Sequence, residues 1–98
     1  MKINKTLDGN VLNVALEGRL DTMTAPELEA AIKDDLAVVD SAVLDLTSLE
    51  YVSSAGLRVI LSVHKALAGK SGLIVKNPNE TVSEVFEVTG FSDILTIE

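Results

Sequence analysis

The chain has 98 residues, a net charge of −7 and an apolar fraction of 47 %, which fits one compact domain over residues 1–98 and excludes a disordered chain. The acidic balance argues against nucleic acid and anionic membrane surfaces as partners, since both need a basic patch. With no cysteine there is neither a disulfide framework nor a thiolate metal site, as fits a reducing compartment.

The N-terminal residues Met1-Lys2-Ile3-Asn4-Lys5 lack the apolar run of a signal peptide. No apolar stretch approaches the ~20 residues that cross a bilayer, so no membrane insertion is expected. Residues 2–7 and 11–16 read as two strands joined through Asp8-Gly9-Asn10, a hairpin signal because Asp-Gly tolerates positive φ. Leu12, Val14 and Leu16 alternate with Asn13 and Ala15, the pattern of a strand with one buried face. Gly18-Arg19-Leu20-Asp21 leads out of the sheet.

Thr24-Ala25-Pro26-Glu27 reads as a capping box, with Thr24 as N-cap and Glu27 at N3. Pro26 sits in the first turn, where its missing N–H costs little. Leu28, Ala31, Ile32 and Leu36 follow at helical spacing, and this helix is expected to end between 37 and 40. Residues 42–46, Ala-Val-Leu-Asp-Leu, read as a short central strand covered on both faces. A helix over 54–68 carries an inward stripe of Leu57, Ile60, Leu61, His64 and Leu67. Residues 73–75 form another buried strand. Asn77 is the expected N-cap of a last helix, with Pro78 at N1, Val82, Val85 and Phe86 inward, and Gly90 at C′. Ile94, Leu95 and Ile97 suggest a short final strand. The order β-β-α-β-α-β-α-β implies an α/β fold: a mixed sheet whose opening hairpin adds an antiparallel edge to a parallel βαβαβ half, with the helices packed against it.

The segment Tyr51-Val52-Ser53-Ser54-Ala55-Gly56-Leu57-Arg58 carries the sharpest functional signal. It places two hydroxyls at a helix N-terminus, where free N–H groups and the helix dipole favour negative charge. A phosphate could be carried there, on a serine or as a ligand. Capping alone accounts for one of the two serines. Gly56 costs about 1 kcal/mol in a helix relative to Ala, which implies close backbone approach by a neighbouring element or a partner protein.

Enzymatic readings fare poorly. A nucleophilic serine needs a base within hydrogen-bond reach. The one histidine, His64, lies ten positions beyond Ser54 on the same expected helix, about 15 Å along its axis. It falls on the apolar stripe, the position of a core or partly buried histidine. Gly-x-Ser-x-Gly is absent, and so are the glycine-rich nucleotide loops, so no catalytic residue and no cofactor is assigned. Asp21, Asp45 and Glu50 would hold a magnesium ion only if they converged, and scattered carboxylates in an acidic chain are normally just solvated.

Residues 44–58, Leu-Asp-Leu-Thr-Ser-Leu-Glu-Tyr-Val-Ser-Ser-Ala-Gly-Leu-Arg, resemble the signature of STAS domains, specifically the bacterial anti-sigma factor antagonists of the sporulation and general-stress systems. There an aliphatic-Asp/Asn-aliphatic strand end leads through an aromatic residue to Asp-Ser-Ser/Thr-Gly-Leu. Gly18-Arg19-Leu20-Asp21 is similar to the family's Gly-x-Leu-Asp, and the element order matches over nearly the whole chain, implying the SpoIIAA-like fold. The resemblance implies a cytoplasmic, non-enzymatic switch. Unphosphorylated, such an antagonist binds an anti-sigma factor that is itself a serine kinase, and so frees the sigma factor. Phosphorylation of the serine after the motif Asp, here Ser54, switches it off, and a serine phosphatase restores it. Asp21, Thr22, Ser53, Ser54, Ala55, Gly56 and Arg58 would then form the partner interface.

This chain departs from the family pattern at Ser53, where the motif Asp stands, and at Ala55, where the second hydroxyl stands. The departures leave room for an alternative class, the STAS subunit of an ABC-type lipid transport system, which binds its ATPase without phosphorylation. A hydrolase using Ser54 is a third class and lacks a base.

Overall fold

A computed structural model of the chain describes residues 1–98. Strand β1 (Lys2–Asp8) turns through Gly9 and Asn10 into β2 (Val11–Leu20), with Asp8 opposite Val11 and Lys2 opposite Glu17. Helix α1 (Ala25–Leu36), β3 (Ser41–Val52), α2 (Ser54–Leu67), β4 (Gly72–Lys76), α3 (Glu80–Val88), a 3₁₀ turn (Phe91–Asp93) and β5 (Thr96–Ile97) follow. The five strands lie side by side in sequence order. β1 runs antiparallel to β2, and all the later pairs are parallel. The expected mixed sheet, with a hairpin edge and helices packed against it, is the observed architecture.

The expectation that residues 42–46 are covered on both faces is corrected. Every parallel step moves in the same direction across the sheet, so crossovers of one hand place every helix on the same face. Leu12, Val14 and Leu16 of β2, Ala42, Leu44 and Leu46 of β3, and Leu73 and Val75 of β4 point to that face and are buried. Asn13, Val43, Asp45 and Ile74, on the opposite face, are only half-buried. The core is therefore one aliphatic layer between sheet and helices, centred on Phe86, Ile60, Leu28 and Leu46. Helix α2 meets both the sheet and α1. Its buried stripe accordingly includes Val59 and Val63 beside Leu57, Ile60 and Leu67, while Leu61 and His64 are half-buried at its margin.

β3 is more than twice as long as expected, because two bulges hide its second half from a period-two reading. Ala15 pairs with Asp45 but Glu17 with Ser48, and Gly18 pairs with Leu49 but Arg19 with Tyr51. Each bulge inserts one extra residue into β3. Leu46, Leu49 and Val52 thus recur every three residues and still face the core. The bulges carry β3 and β2 on together to Val52 and Leu20, at the entrance of α2.

Two expected caps differ in the structure. Thr24 precedes α1 but makes no side-chain cap, so the Thr24–Glu27 capping box does not form. Its hydroxyl is taken by the preceding turn, donating to the Arg19 carbonyl (2.7 Å) and accepting from the Asp21 N–H (2.8 Å). The N-cap of α3 is Asn79 rather than Asn77: Asn79 Oδ1 accepts from the Val82 N–H at 2.8 Å, and its Nδ2 donates to the Leu49 carbonyl at 3.0 Å. Asn77 is held at φ 58° and donates to Asp45 Oδ1 at 3.3 Å. Gly90, at φ 80°, occupies the C′ position that the sequence predicts, in the left-handed conformation such a stop requires.

Candidate functional site

The site lies where β2 and β3 end together. The Ser53 N–H donates to the Leu20 carbonyl at 2.9 Å, which fixes the start of α2 beside the turn that follows β2. Ser53 has extended backbone (φ −96°, ψ 176°), and its Oγ accepts from the Gly56 N–H at 3.3 Å. Ser53 is therefore the cap, and the ambiguity between the two serines resolves on backbone geometry. Ser54, the first residue of the helix, is exposed and its side chain has no partner.

Gly56 is buried against the same junction. A Cβ at this position would lie 2.7 Å from Leu20 Cγ, 2.9 Å from the Leu20 carbonyl oxygen and 2.9 Å from Val52 Cγ2. Of the two causes expected for a helical glycine here, a neighbouring element or a partner protein, the close approach within the chain comes from the ends of β2 and β3. Gly56 sets how deeply α2 seats and lies beneath the surface on which Ser54 stands.

The turn after β2 is built around the Asp21 carboxylate. Its Oδ1 accepts the N–H groups of Met23 (3.0 Å) and Thr24 (3.1 Å), while Thr24 Oγ1 ties back to Arg19 and to the Asp21 N–H. The Thr24 N–H above all, with the Met23 N–H and the Thr24 hydroxyl, holds the Asp21 carboxyl below its ordinary value, so the turn is anchored by an ionised group. The turn presents Thr22 and Met23 outward, and Met23 is 81 % exposed. Sequence reasoning passed over Met23. The available signal was a methionine between two threonines in a polar turn, a solvent-facing apolar side chain with no core stripe to join.

Thr22, Ala55 and Arg58 line one open cleft together with Pro26 and Glu29 of α1. The structure thus brings together Thr22, Ala55 and Arg58, and puts Ser53 and Ser54 at the adjoining start of α2, which the Leu20 carbonyl holds through the Ser53 N–H. Behind them the Arg19 guanidinium stacks on the Tyr51 ring, 4.5 Å from its centroid. Arg58 makes no ion pair.

The carboxylates weighed as metal ligands do not meet. No three acidic or histidine side chains converge anywhere in the fold. Asp45 is occupied by the Thr47 hydroxyl (2.6 Å), the Thr47 N–H (3.0 Å) and Asn77, and the Thr47 hydroxyl leads in holding its carboxyl below the ordinary value. No helix is long and apolar enough to cross a membrane.

The family model described as the STAS domain matches residues 2–98. BtrV of Bordetella bronchiseptica, whose name places it with the anti-sigma factor antagonists, is 38 % identical over 102 residues, covering 99 % of this chain and 85 % of its own. The anti-sigma-B factor antagonist of Listeria monocytogenes is 32 % identical over 97 residues, covering 96 % and 84 %. Among solved structures, an anti-sigma factor antagonist from Mycobacterium paratuberculosis superposes with a TM-score of 0.88 at 25 % identity, covering 98 % of this chain and 83 % of that one.

Proposed function

The chain belongs to the STAS domain family and groups within it with the anti-sigma factor antagonists, and from that premise we propose that it is a phosphorylation-controlled antagonist acting in the cytoplasm. Unmodified, it binds an anti-sigma factor of the serine kinase type and so frees the sigma factor. The bound kinase then transfers the γ-phosphoryl group of ATP to Ser54: the Oγ–P bond forms as the bond to ADP breaks, and the hydroxyl proton passes to a base of the kinase. The modified protein releases its partner, and a serine phosphatase returns it to the binding form.

The observation that carries this reading is the division of labour between the two serines. Ser53 performs the structural task by capping α2, while Ser54 stands exposed one residue further on with no structural task. A group free of the fold can be modified without disturbing the fold. Phosphate adds nearly two negative charges and three acceptor oxygens, and the start of α2 has no acidic residue to repel it. Inside a protein–protein interface the same group must be desolvated or must face like charge. Either costs several kcal/mol, enough for a hundredfold or greater loss of affinity.

The interface in this reading consists of Asp21, Thr22, Ser53, Ser54, Ala55 and Arg58, with Gly56 supporting it from below and Met23 as the apolar contact at its edge. The test is incubation with the serine-kinase-type anti-sigma factors of the source organism and ATP, followed by mass spectrometry. One added phosphoryl group, absent from the Ser54→Ala variant, is expected. No phosphate on the wild type, or undiminished labelling of Ser54→Ala, overturns the reading.

A further inference from the structure

Arg58 is one of only two arginines in a chain that carries 15 acidic residues. The other, Arg19, is stacked on Tyr51. Arg58 is exposed and, unlike Lys2, Lys5 and Lys76, pairs with no carboxylate. It lies four residues after Ser54 within the same uninterrupted helix. Residues at i and i+4 lie one above the other on a helix, and side chains tilt toward the helix N-terminus. The i, i+4 spacing therefore puts the turn that begins at Ser54 within reach of the Arg58 guanidinium. An anion N-terminal to a cation is also the favourable order for such a pair.

We propose that Arg58 is the internal clamp of the phosphorylated state: its guanidinium takes the phosphate of phosphoserine 54 in a paired, two-pronged contact along α2. This inference rests on Ser54 as the modified residue and adds what happens within the domain after modification. The phosphate is held against its own helix, and Arg58 is withdrawn from the surface in the same event. Phosphorylation then changes the interface twice, by adding an anion at 54 and by removing the free cation at 58. The guanidinium fork suits this task better than an ammonium group, because it matches phosphate oxygens in two parallel hydrogen bonds. The acidic group that shares the cleft with Arg58 is Glu29 of α1, and Asp21 belongs to the turn that precedes α1. Asp21 is already engaged by Met23 and Thr24, and Glu29 forms no ion pair with Arg58.

The test places phosphoserine at position 54 by genetic incorporation, so that no kinase is required, in the wild-type, Arg58→Gln and Arg58→Lys backgrounds. Phosphorus NMR then follows the second ionisation of the phosphate, which for a free phosphoserine falls near pH ~6. A clamp favours the dianion. The wild-type midpoint is expected about 0.5 pH unit or more below that of Arg58→Gln, with Arg58→Lys between them, and the gap is expected to shrink in 1 M salt, where the screening length is only ~3 Å. Coincident titration curves for wild type and Arg58→Gln overturn the clamp. Arg58 is exposed, so the unmodified variants are expected to melt with the wild type, and a melting scan of each checks it. Failure of every kinase to label Ser54 would overturn the proposed switch and leave this measurement standing. Coincident curves would do the reverse.

Discussion

Gly56 and Leu20 touch where α2 leaves the sheet, and the contact has no room for a methyl group: a Cβ on Gly56 would stand 2.9 Å from the Leu20 carbonyl oxygen as well as 2.7 Å from its Cγ. Two effects oppose each other in Gly56→Ala. Helix propensity favours alanine by about 1 kcal/mol. Against it stands overpacking at a backbone carbonyl that also holds the Ser53 N–H. Such a group cannot swing aside as a side chain can, so the cost belongs in the upper part of the ~1–3 kcal/mol range for overpacking. Net destabilisation of about 1–2 kcal/mol is expected in urea denaturation. Gly69→Ala is the control, since no atom lies within 4 Å of a Cβ there, and it should move stability by less than ~0.5 kcal/mol. A Gly56→Ala protein as stable as the wild type would show that α2 is free to ride outward.

The serine pair makes a second contrast. Ser53→Ala removes the side-chain acceptor of the Gly56 N–H and is expected to cost about 0.5–1 kcal/mol, at the low end for a cap because the bond is long at 3.3 Å. Ser54→Ala removes an exposed hydroxyl with no partner and should change stability by less than ~0.5 kcal/mol. Ser53→Asp restores the residue type of the family pattern. It is expected to gain about 0.3–1 kcal/mol from a carboxylate at the start of a helix that has no other acid in its first turn. Chemical denaturation of the three variants side by side checks the ranking, and a larger loss in Ser54→Ala than in Ser53→Ala would reverse the assignment of roles.

Much of this arrangement is legible in the sequence, and what is not has identifiable physical causes. The hairpin at Gly9, the start of α2 and the stop at Gly90 depend on neighbouring residues alone, and they are found where local chemistry places them. The second half of β3 is missed because its bulges turn a period of two into the spacing Leu46, Leu49, Val52, a pattern that only pairing with β2 makes sense of. The Asn-Pro order points to Asn77 as the cap of α3, and Asn79 takes that role instead. The choice between them is tertiary, since Asp45 holds Asn77 and the Leu49 carbonyl holds Asn79. Thr24 is drawn off its cap by Arg19 and Asp21 for the same kind of reason. At the site, chain order singles out residues 53–58, whereas Met23 joins them only through the fold.

Asn79 joins two elements through one side chain, and the two halves of its amide can be separated by substitution. Asn79→Ala loses the cap on Val82 and leaves the Leu49 carbonyl without its donor. The expected cost is about 2 kcal/mol, roughly 1 for each bond. Asn79→Asp keeps the acceptor and loses the donor, so about half that loss is expected in the same urea experiment. Equal losses in the two variants would mean that the bond to Leu49 carries the whole effect.

The pH dependence of stability follows from Asp21 and Asp45, whose carboxyls are both held below the ordinary value of 3.8. A depressed folded-state value means that the unfolded chain takes up the proton first. The stabilisation is then complete above the unfolded value and is lost as pH falls through the folded one. Between pH ~5 and ~7 these two groups leave stability level, and below pH ~4 they begin to withdraw it. In Asp45→Asn the Thr47 and Asn77 contacts lose their ionised partner, so the variant is less stable than the wild type at neutral pH and the gap closes as pH falls below ~4. Asp21→Asn should behave in the same way, because its amide oxygen can still accept from Met23 and Thr24 but carries no charge. Urea midpoints measured from pH 3 to 7 give the closing gap, and carboxyl carbon NMR gives the two midpoints directly. Titration of either carboxyl at or above its ordinary value, or a gap that stays constant down to pH 3, would contradict the turn geometry at Asp21 and the Thr47 contact at Asp45.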